Sequence, residues 1–190
     1  MLQPTTPDAT CRQCGKGFLR LRSFQVVCGV SCAKKAAQGV KKEASRAVRV
    51  RREKLKTVRD WIKEAQIEFN RYIRIRDRLA GRDCISSGRT LDWTGNGVDA
   101  GHFRSVGAAP QLRFNPDNCH AQSKRENQYL AGNAVAYRAR LVDRIGLARV
   151  LALEANNTPH KWTIDELRDI KAEFRAKTKE LQTRVNHDTP

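Results

Sequence analysis

Acidic residues and long apolar runs are what this 190-residue chain lacks. No stretch approaches the ~20 consecutive apolar residues of a membrane-spanning helix, so no membrane partner is expected. The opening Met1-Leu-Gln-Pro-Thr-Thr-Pro7 is neither a charged leader nor an apolar one, and no secretory signal is expected. The six cysteines then belong in a reducing compartment, where clustered pairs bind metal more often than they form disulfides. The shortage of acid says more. With 37 Lys and Arg against 20 Asp and Glu, the formal charge is +17, a field that attracts a polyanion. Nucleic acid is the leading partner.

What is present divides into four segments with no internal repeat. Residues 1–36 hold a loose arm with Pro4 and Pro7, then Cys11-x2-Cys14-x13-Cys28-x3-Cys32. Two cysteine pairs at this spacing make a structural Zn²⁺ site. Four thiolates close a tetrahedral shell, and the metal supplies folding energy that so short a segment cannot draw from a core. A closed site has no open coordination position, so this module is a staple or a docking finger and not a catalyst. Gly15 and Gly17 permit its tight turn, Phe24–Val27 is expected to be a strand, and Cys32 to sit on the first turn of a helix.

Residues 37–82 read as a basic helical segment. Between Lys34 and Arg82 there are 17 Lys and Arg against 6 Asp and Glu, or +11 of the +17. Arg51, Arg52, Arg74 and Arg78 are expected to neutralise DNA phosphates, which gives affinity without sequence specificity. An apolar stripe at helical spacing (Trp61, Ala65, Phe69, Tyr72 or Ile73, Leu79) suits core packing or a partner helix, and Gly81 is the expected stop.

Residues 83–135 are rich in turn signals, from Ser86-Ser-Gly88 to Asn115-Pro-Asp-Asn118, so short strands and dominant loops are expected. From Ser123 the pattern turns helical, running to Gly146. A helix over 147–154 follows, and the capping box Thr163-Ile-Asp-Glu166 opens a last helix to about Arg184. Residues 136–190 form a C-terminal helical region.

Within the third segment lies Asp99-Ala-Gly-His102, with Asn118 and Asn127 downstream. This is the outline of a ββα-metal (HNH-type) nuclease site. Phosphodiester hydrolysis needs a positioned water, a base for its proton and positive charge at the phosphorus. His102 is the expected base, because imidazole titrates near neutral pH. Asp99 and Asn127 offer the hard oxygen ligands that suit Mg²⁺. Asn118 would pin the loop, and Arg104, Arg113, Lys124 and Arg125 would clamp phosphates. His120 is a weaker competitor for base or ligand. The expected fold is α+β and mostly helical: zinc finger, long basic helix, small ββα-metal core, C-terminal helices.

These blocks, together with Leu112-Arg-Phe-Asn115, Tyr129-Leu-Ala-Gly-Asn133, Arg144-Ile-Gly-Leu147 and Asn157-Thr-Pro-His160, resemble the NinG (Rap) recombination proteins of lambda-like phages. The resemblance covers nearly the whole chain. It implies a structure-specific endonuclease acting on Holliday junctions and D-loops in the cytoplasm of an infected or lysogenic host, with an endonuclease VII-like core. On that pattern His102 matches the general base and Asn127 the helix-borne metal ligand. Gly101 takes the place of the acid that usually precedes the histidine, so the acidic ligand comes from Asp99 or elsewhere. The pattern also carries two Cys-x2-Cys pairs that here read Cys84-x2-Ser87 and Ser123-x2-Glu126. One thiolate, two hydroxyls and a carboxylate make a poor zinc set, and no second stable zinc is expected. The rival expectation is a non-catalytic DNA-binding recombination accessory that keeps the fold without the cut. A homodimer through the helix around Trp61–Leu79 and a recombination-protein partner at the C-terminal helices are further expectations.

Overall fold

A computed structural model describes residues 9–130 and 132–187, so the arm expected around Pro4 and Pro7 lies outside the described residues. The chain forms two compact units, residues 1–56 and 57–190.

In the first unit, β1 (Ala9–Thr10) pairs antiparallel with β2 (Gly17–Phe18), placing Ala9 opposite Phe18. The turn between them needs Gly15 at φ +72°, where a side chain would be strained. The expected strand at Phe24–Val27 does not form. Arg12 N–H donates to Val26 O (3.0 Å), a single bond that ties the segment down without a ladder, and Phe24 stays exposed. Helix α1 (Val30–Lys54) follows, with Cys32 in its first turn. It buries none of its residues, and Arg51 and Arg52 are exposed.

The second unit begins with α2 (Val58–Leu79). Thr57 and Asp60 form a reciprocal capping box, and the chain leaves the helix through Gly81 at φ +60°. Apolar residues every fourth position put Trp61, Ala65, Phe69 and Ile73 on one buried stripe, while Leu79 is exposed. The last helix, α5 (Ile164–His187), starts at the Thr163–Glu166 capping box and packs along that stripe. Phe69 meets Phe174 edge-on at 4.8 Å, with Leu167 and Trp162 nearby. The stripe of α2 expected to serve a second copy is therefore covered from within the chain by α5.

Against α2 lies a two-stranded antiparallel ribbon, β3 (Val98–His102) and β4 (Cys119–Ser123), in register from Val98↔Ser123 to His102↔Cys119. Single turns of 3₁₀ helix at Pro110–Leu112 and Pro116–Asn118 shape the connection between the strands. After β4 the chain makes a wide π-helical turn, Arg125–Tyr129, and then α3 (Ala134–Ile145) and α4 (Leu147–Ala155), separated by Gly146 at φ +86°. The helix expected from Ser123 is thus a strand end, a wide turn and a separate helix. Tyr137 and Leu141 of α3 pack with Ile85, Leu112, Val150 and Leu153 in a second apolar cluster.

A buried polar anchor joins α2 to β4. The Ala121 N–H donates to Asp77 Oδ2 (2.7 Å) and Arg76 Nε donates to Asp77 Oδ1 (2.7 Å). The same guanidinium donates to Pro116 O, Cys119 O and His120 Nδ1, each at 3.0 Å. His120 Nε2 donates to Asp117 O (3.1 Å), so both of its ring nitrogens are engaged and the ring is neutral. Burial, and then the adjacent Arg76 charge, hold the His120 pKa down at about 3. Burial works against the Asp77 charge, but Arg76 outweighs it and keeps that carboxyl below its ordinary value.

Removing one partner of a buried pair strands the other. Asp77→Ala should cost about 3–5 kcal/mol in a urea unfolding titration. His120 adds a pH term of definite sign. Its folded pKa lies below the unfolded value of about 6.5, so its contribution is complete above that pH and is lost as pH falls toward about 3. His102, also lowered by burial, adds to the same slope. Unfolding midpoints should therefore drop between pH 7 and 5, and His120→Asn should flatten that drop. An unchanged slope would count against the anchor.

Candidate functional site

The four cysteines converge. Cys11 is held in the β1–β2 turn, its N–H donating to Lys16 O (2.9 Å), and α1 carries Cys32. The four sulfurs lie within 4.8 Å of one another, with Cys14–Cys28 at 3.7 Å and Cys28–Cys32 at 3.5 Å. A tetrahedral zinc with bonds of ~2.3 Å sets its ligands about 3.8 Å apart, so the donor set fits that ion. Side-chain bonding with Cys32, then with Cys11 and Cys14, raises the Cys28 pKa to about 12. Burial resists ionisation at Cys11, but backbone donors from Cys28, Cys14 and Gln13 outweigh it and lower its pKa to about 6.

In the second unit the structure separates what the sequence ran together. Side chains alternate along a strand, so Asp99 and His102, three residues apart on β3, leave opposite faces of the ribbon. The Asp99 carboxylate meets the wide turn: Asn127 Nδ2 and Gln128 Nε2 both donate to Asp99 Oδ2, at 3.0 and 2.9 Å. With the Asn127 amide turned to present its oxygen, carboxylate and amide are two hard donors about as far apart as neighbouring ligands of an octahedral ion with ~2.1 Å bonds.

His102 turns toward α2 instead. Its Nε2–H donates to Arg113 O (2.9 Å), its Nδ1 lies 3.6 Å from Cys119 Sγ, and its ring sits 5.9 Å from that of Phe69. The carbonyl fixes the tautomer, leaving the Nδ1 lone pair facing a fully buried thiol. Burial lowers its pKa and drives that of Cys119 well up. Gly101 has its own cause. A Cβ there would meet the Gln122 side-chain amide, so a side chain at this position requires Gln122 to move. Asn118 is fully buried and splices the connection: its amide accepts from Arg104 N (2.9 Å) and donates to Arg104 O (3.0 Å) and Leu112 O (3.2 Å).

The basic residues sort into committed and free. Arg104 donates to Leu153 O, Glu154 O, Asn156 O and Asn157 Oδ1, closing the C-terminal end of α4. Arg113 donates to Gln66 Oε1 (3.2 Å), with its Nε buried. Lys124 and Arg125, at the start of the wide turn, make no ion pair among the described residues, and Arg125 is exposed. Arg74 and Arg78 line a cleft of about 340 Å³ with Arg71, Trp93, Asn96 and Asp99.

The family model described as "Bacteriophage Lambda NinG protein" matches residues 4–184. The chain belongs to the NinG family. It is 44% identical to protein ninG of Escherichia phage lambda over 137 residues, 71% of this chain and 64% of that protein. Protein ninG of Salmonella phage P22 and of Escherichia phage 933W are each 43% identical over 137 residues, covering 64% and 65% of their lengths. The aligned segment thus spans less than two thirds of these NinG relatives. No solved structure matches.

The residues around Cys84, where the resemblance implied a second cysteine frame, are held by hydrogen bonds. Ser123 N–H donates to Cys84 Sγ (3.3 Å), Glu126 N–H donates to Ser123 Oγ (3.3 Å), and the Glu126 carboxylate accepts from Asn133 Nδ2 (2.9 Å). Sequence reasoning missed Gln128 and Trp93. The adjacent amides Asn127-Gln128 were the available signal for the first; the second needed the placement of β3 against α2.

Among the described residues the four cysteines are the one cluster of metal-type ligands. Metal analysis should find about one zinc per chain, lost in Cys14→Ser. A value near two would overturn the reading of the Cys84 frame.

Proposed function

We propose that this protein is a Mg²⁺-dependent endonuclease that cuts branched recombining DNA, such as Holliday junctions and D-loops. The observation that carries the reading is the Asp99–Asn127 pair at 3.0 Å, opening beside a cleft lined by unpaired arginines. Asp99 and Asn127 hold the cation, and Gln128 fixes the carboxylate. The ion, when bound, polarises a phosphate oxygen and stabilises charge at the pentacoordinate phosphorus. Arg74, Arg78, Lys124 and Arg125 hold flanking phosphates, and Arg51 and Arg52 on the exposed α1 offer phosphate contacts of their own. Phosphate contacts of this kind read DNA shape, which suits selection of branches over base sequence.

The base expected from the sequence, His102, leaves the opposite face of the ribbon from Asp99, with its Nδ1 against Cys119, so it does not face a water bound beside Asp99. That placement favours a second reading, a DNA-binding recombination accessory that keeps the fold without cutting. Cutting both strands of a junction symmetrically calls for two sites, hence a homodimer. Its interface would lie away from the stripe of α2 that α5 covers. The setting is the interior of an infected or lysogenic bacterium. Among the described residues no helix is long and apolar enough to cross a membrane.

A four-way junction and a linear duplex incubated with Mg²⁺ decide between the readings. Wild type should cut the junction. Asp99→Asn should bind it normally but cut at least about a hundred-fold more slowly, beyond what a lost supporting contact causes. Tight binding of the junction with no cutting by wild type would establish the accessory reading.

A further inference from the structure

We propose that the cleft between α2 and the segment leading into β3 is a binding site for one unpaired nucleotide at the branch point of the DNA. The inference rests on the nuclease reading and deepens it, by naming the structural feature of the substrate that the site selects.

Three observations converge there. Arg71, Arg74 and Arg78 stand at helical spacing on α2, and none forms an ion pair among the described residues. Arg76, on the same helix, is fully engaged with Asp77 and β4, so the free arginines are those turned to the cleft. Trp93 is half-buried. It packs against the cluster of Cys84, Leu91 and Ala121 while also lining the cleft. Asp99 lines the same cleft and bonds to Asn127.

At about 340 Å³ the cleft is at the lower end of the ~300–1,000 Å³ range of small-molecule sites, too small for a duplex edge and enough for one nucleotide. The guanidinium groups that line it suit its phosphate, and the Trp93 indole that lines it suits its base through stacking, which does not depend on sequence. Asp99 lines the same cleft. Continuous duplex has no unstacked base to offer, so branched DNA is preferred without any base being read.

The test is binding by fluorescence anisotropy, with the zinc-loaded full chain and no Mg²⁺, to a four-way junction, a gapped duplex and a continuous duplex. Trp93→Leu should weaken junction and gapped-duplex binding roughly five-fold or more, the scale of one lost base–aromatic stack, and leave continuous duplex unchanged. Trp93→Phe should restore the preference. Arg71→Gln with Arg74→Gln should weaken binding to all three DNAs and reduce the salt dependence by about two phosphate contacts. A Trp93→Leu protein with wild-type melting temperature and undiminished preference for branched DNA overturns the proposal. If that variant melts early, 2-aminopurine at the unpaired position decides with wild type: quenching on binding supports the stack, and unchanged emission overturns it. Because no cleavage is read, an uncut junction would sink the nuclease reading while leaving this outcome standing.

Discussion

The second unit depends on one buried carboxylate. Asp77 takes the backbone N–H of Ala121 at the centre of β4 and the guanidinium of Arg76 beside it. A two-stranded ribbon is marginal alone in water and needs a partner surface. Here α2 supplies an apolar one through Phe69 and Ile73, but apolar contact alone does not set position along the strand. The anchor does. Arg76 reaches Cys119 O and Pro116 O while Asp77 holds Ala121 N, so a shift of either element would break several bonds at once. Such a network costs desolvation, and its return is a single register.

That register dictates what β3 presents. With Asp99 paired to Gln122 and His102 to Cys119, the pleat sends the carboxylate toward the wide turn and the imidazole toward Phe69. Gln122, buried beside Gly101, would have to move for a side chain at that position. The Asp99–Asn127 pair and the histidine therefore belong to two surroundings, one open to the arginine cleft and one inside the core. His102 has a structural part of its own, since its bond to Arg113 O ties the end of β3 to the connection before β4. Asn118 does the same one residue ahead of β4.

Local signals were legible in the sequence and distant ones were not. The cysteine spacing placed four sulfurs together because each pair sits within one turn or one helical step. Trp61, Ala65, Phe69 and Ile73 at four-residue intervals, the Thr163–Glu166 box and Gly81 are likewise decided by neighbours in the chain. Phe24–Val27 has the composition of a strand but no partner strand, and composition alone cannot supply a ladder. From Ser123 the pattern reads as helical, yet pairing with Val98 keeps Ser123 in β4, a wide turn follows over Arg125–Tyr129, and the regular helix starts only at Ala134. The separation of Asp99 from His102 needs the knowledge that this turn-like stretch is extended. In a tight turn the two would be neighbours; in a strand they cannot be.

Charge shows the same division between what sequence gives and what packing decides. An excess of arginine predicts a polyanion partner but not which arginines meet it. Arg104 looked best placed, immediately after the Asp99–His102 motif, yet four acceptors around the end of α4 consume its donors. Arg76 is spent in the anchor, and Arg138 and Arg149 are paired with Glu154 and Asp117. A guanidinium already satisfied by protein acceptors gains little from a phosphate, because the new bond replaces an existing one. Arg71, Arg74 and Arg78 have no such partner among the described residues, and they share a cleft with Asp99. The anchor explains why: by holding Asp77 and Arg76 against β4, it turns the adjacent face of α2 toward the strand that carries the carboxylate. The interaction that fixes the fold also selects which arginines are left without a protein partner among the described residues.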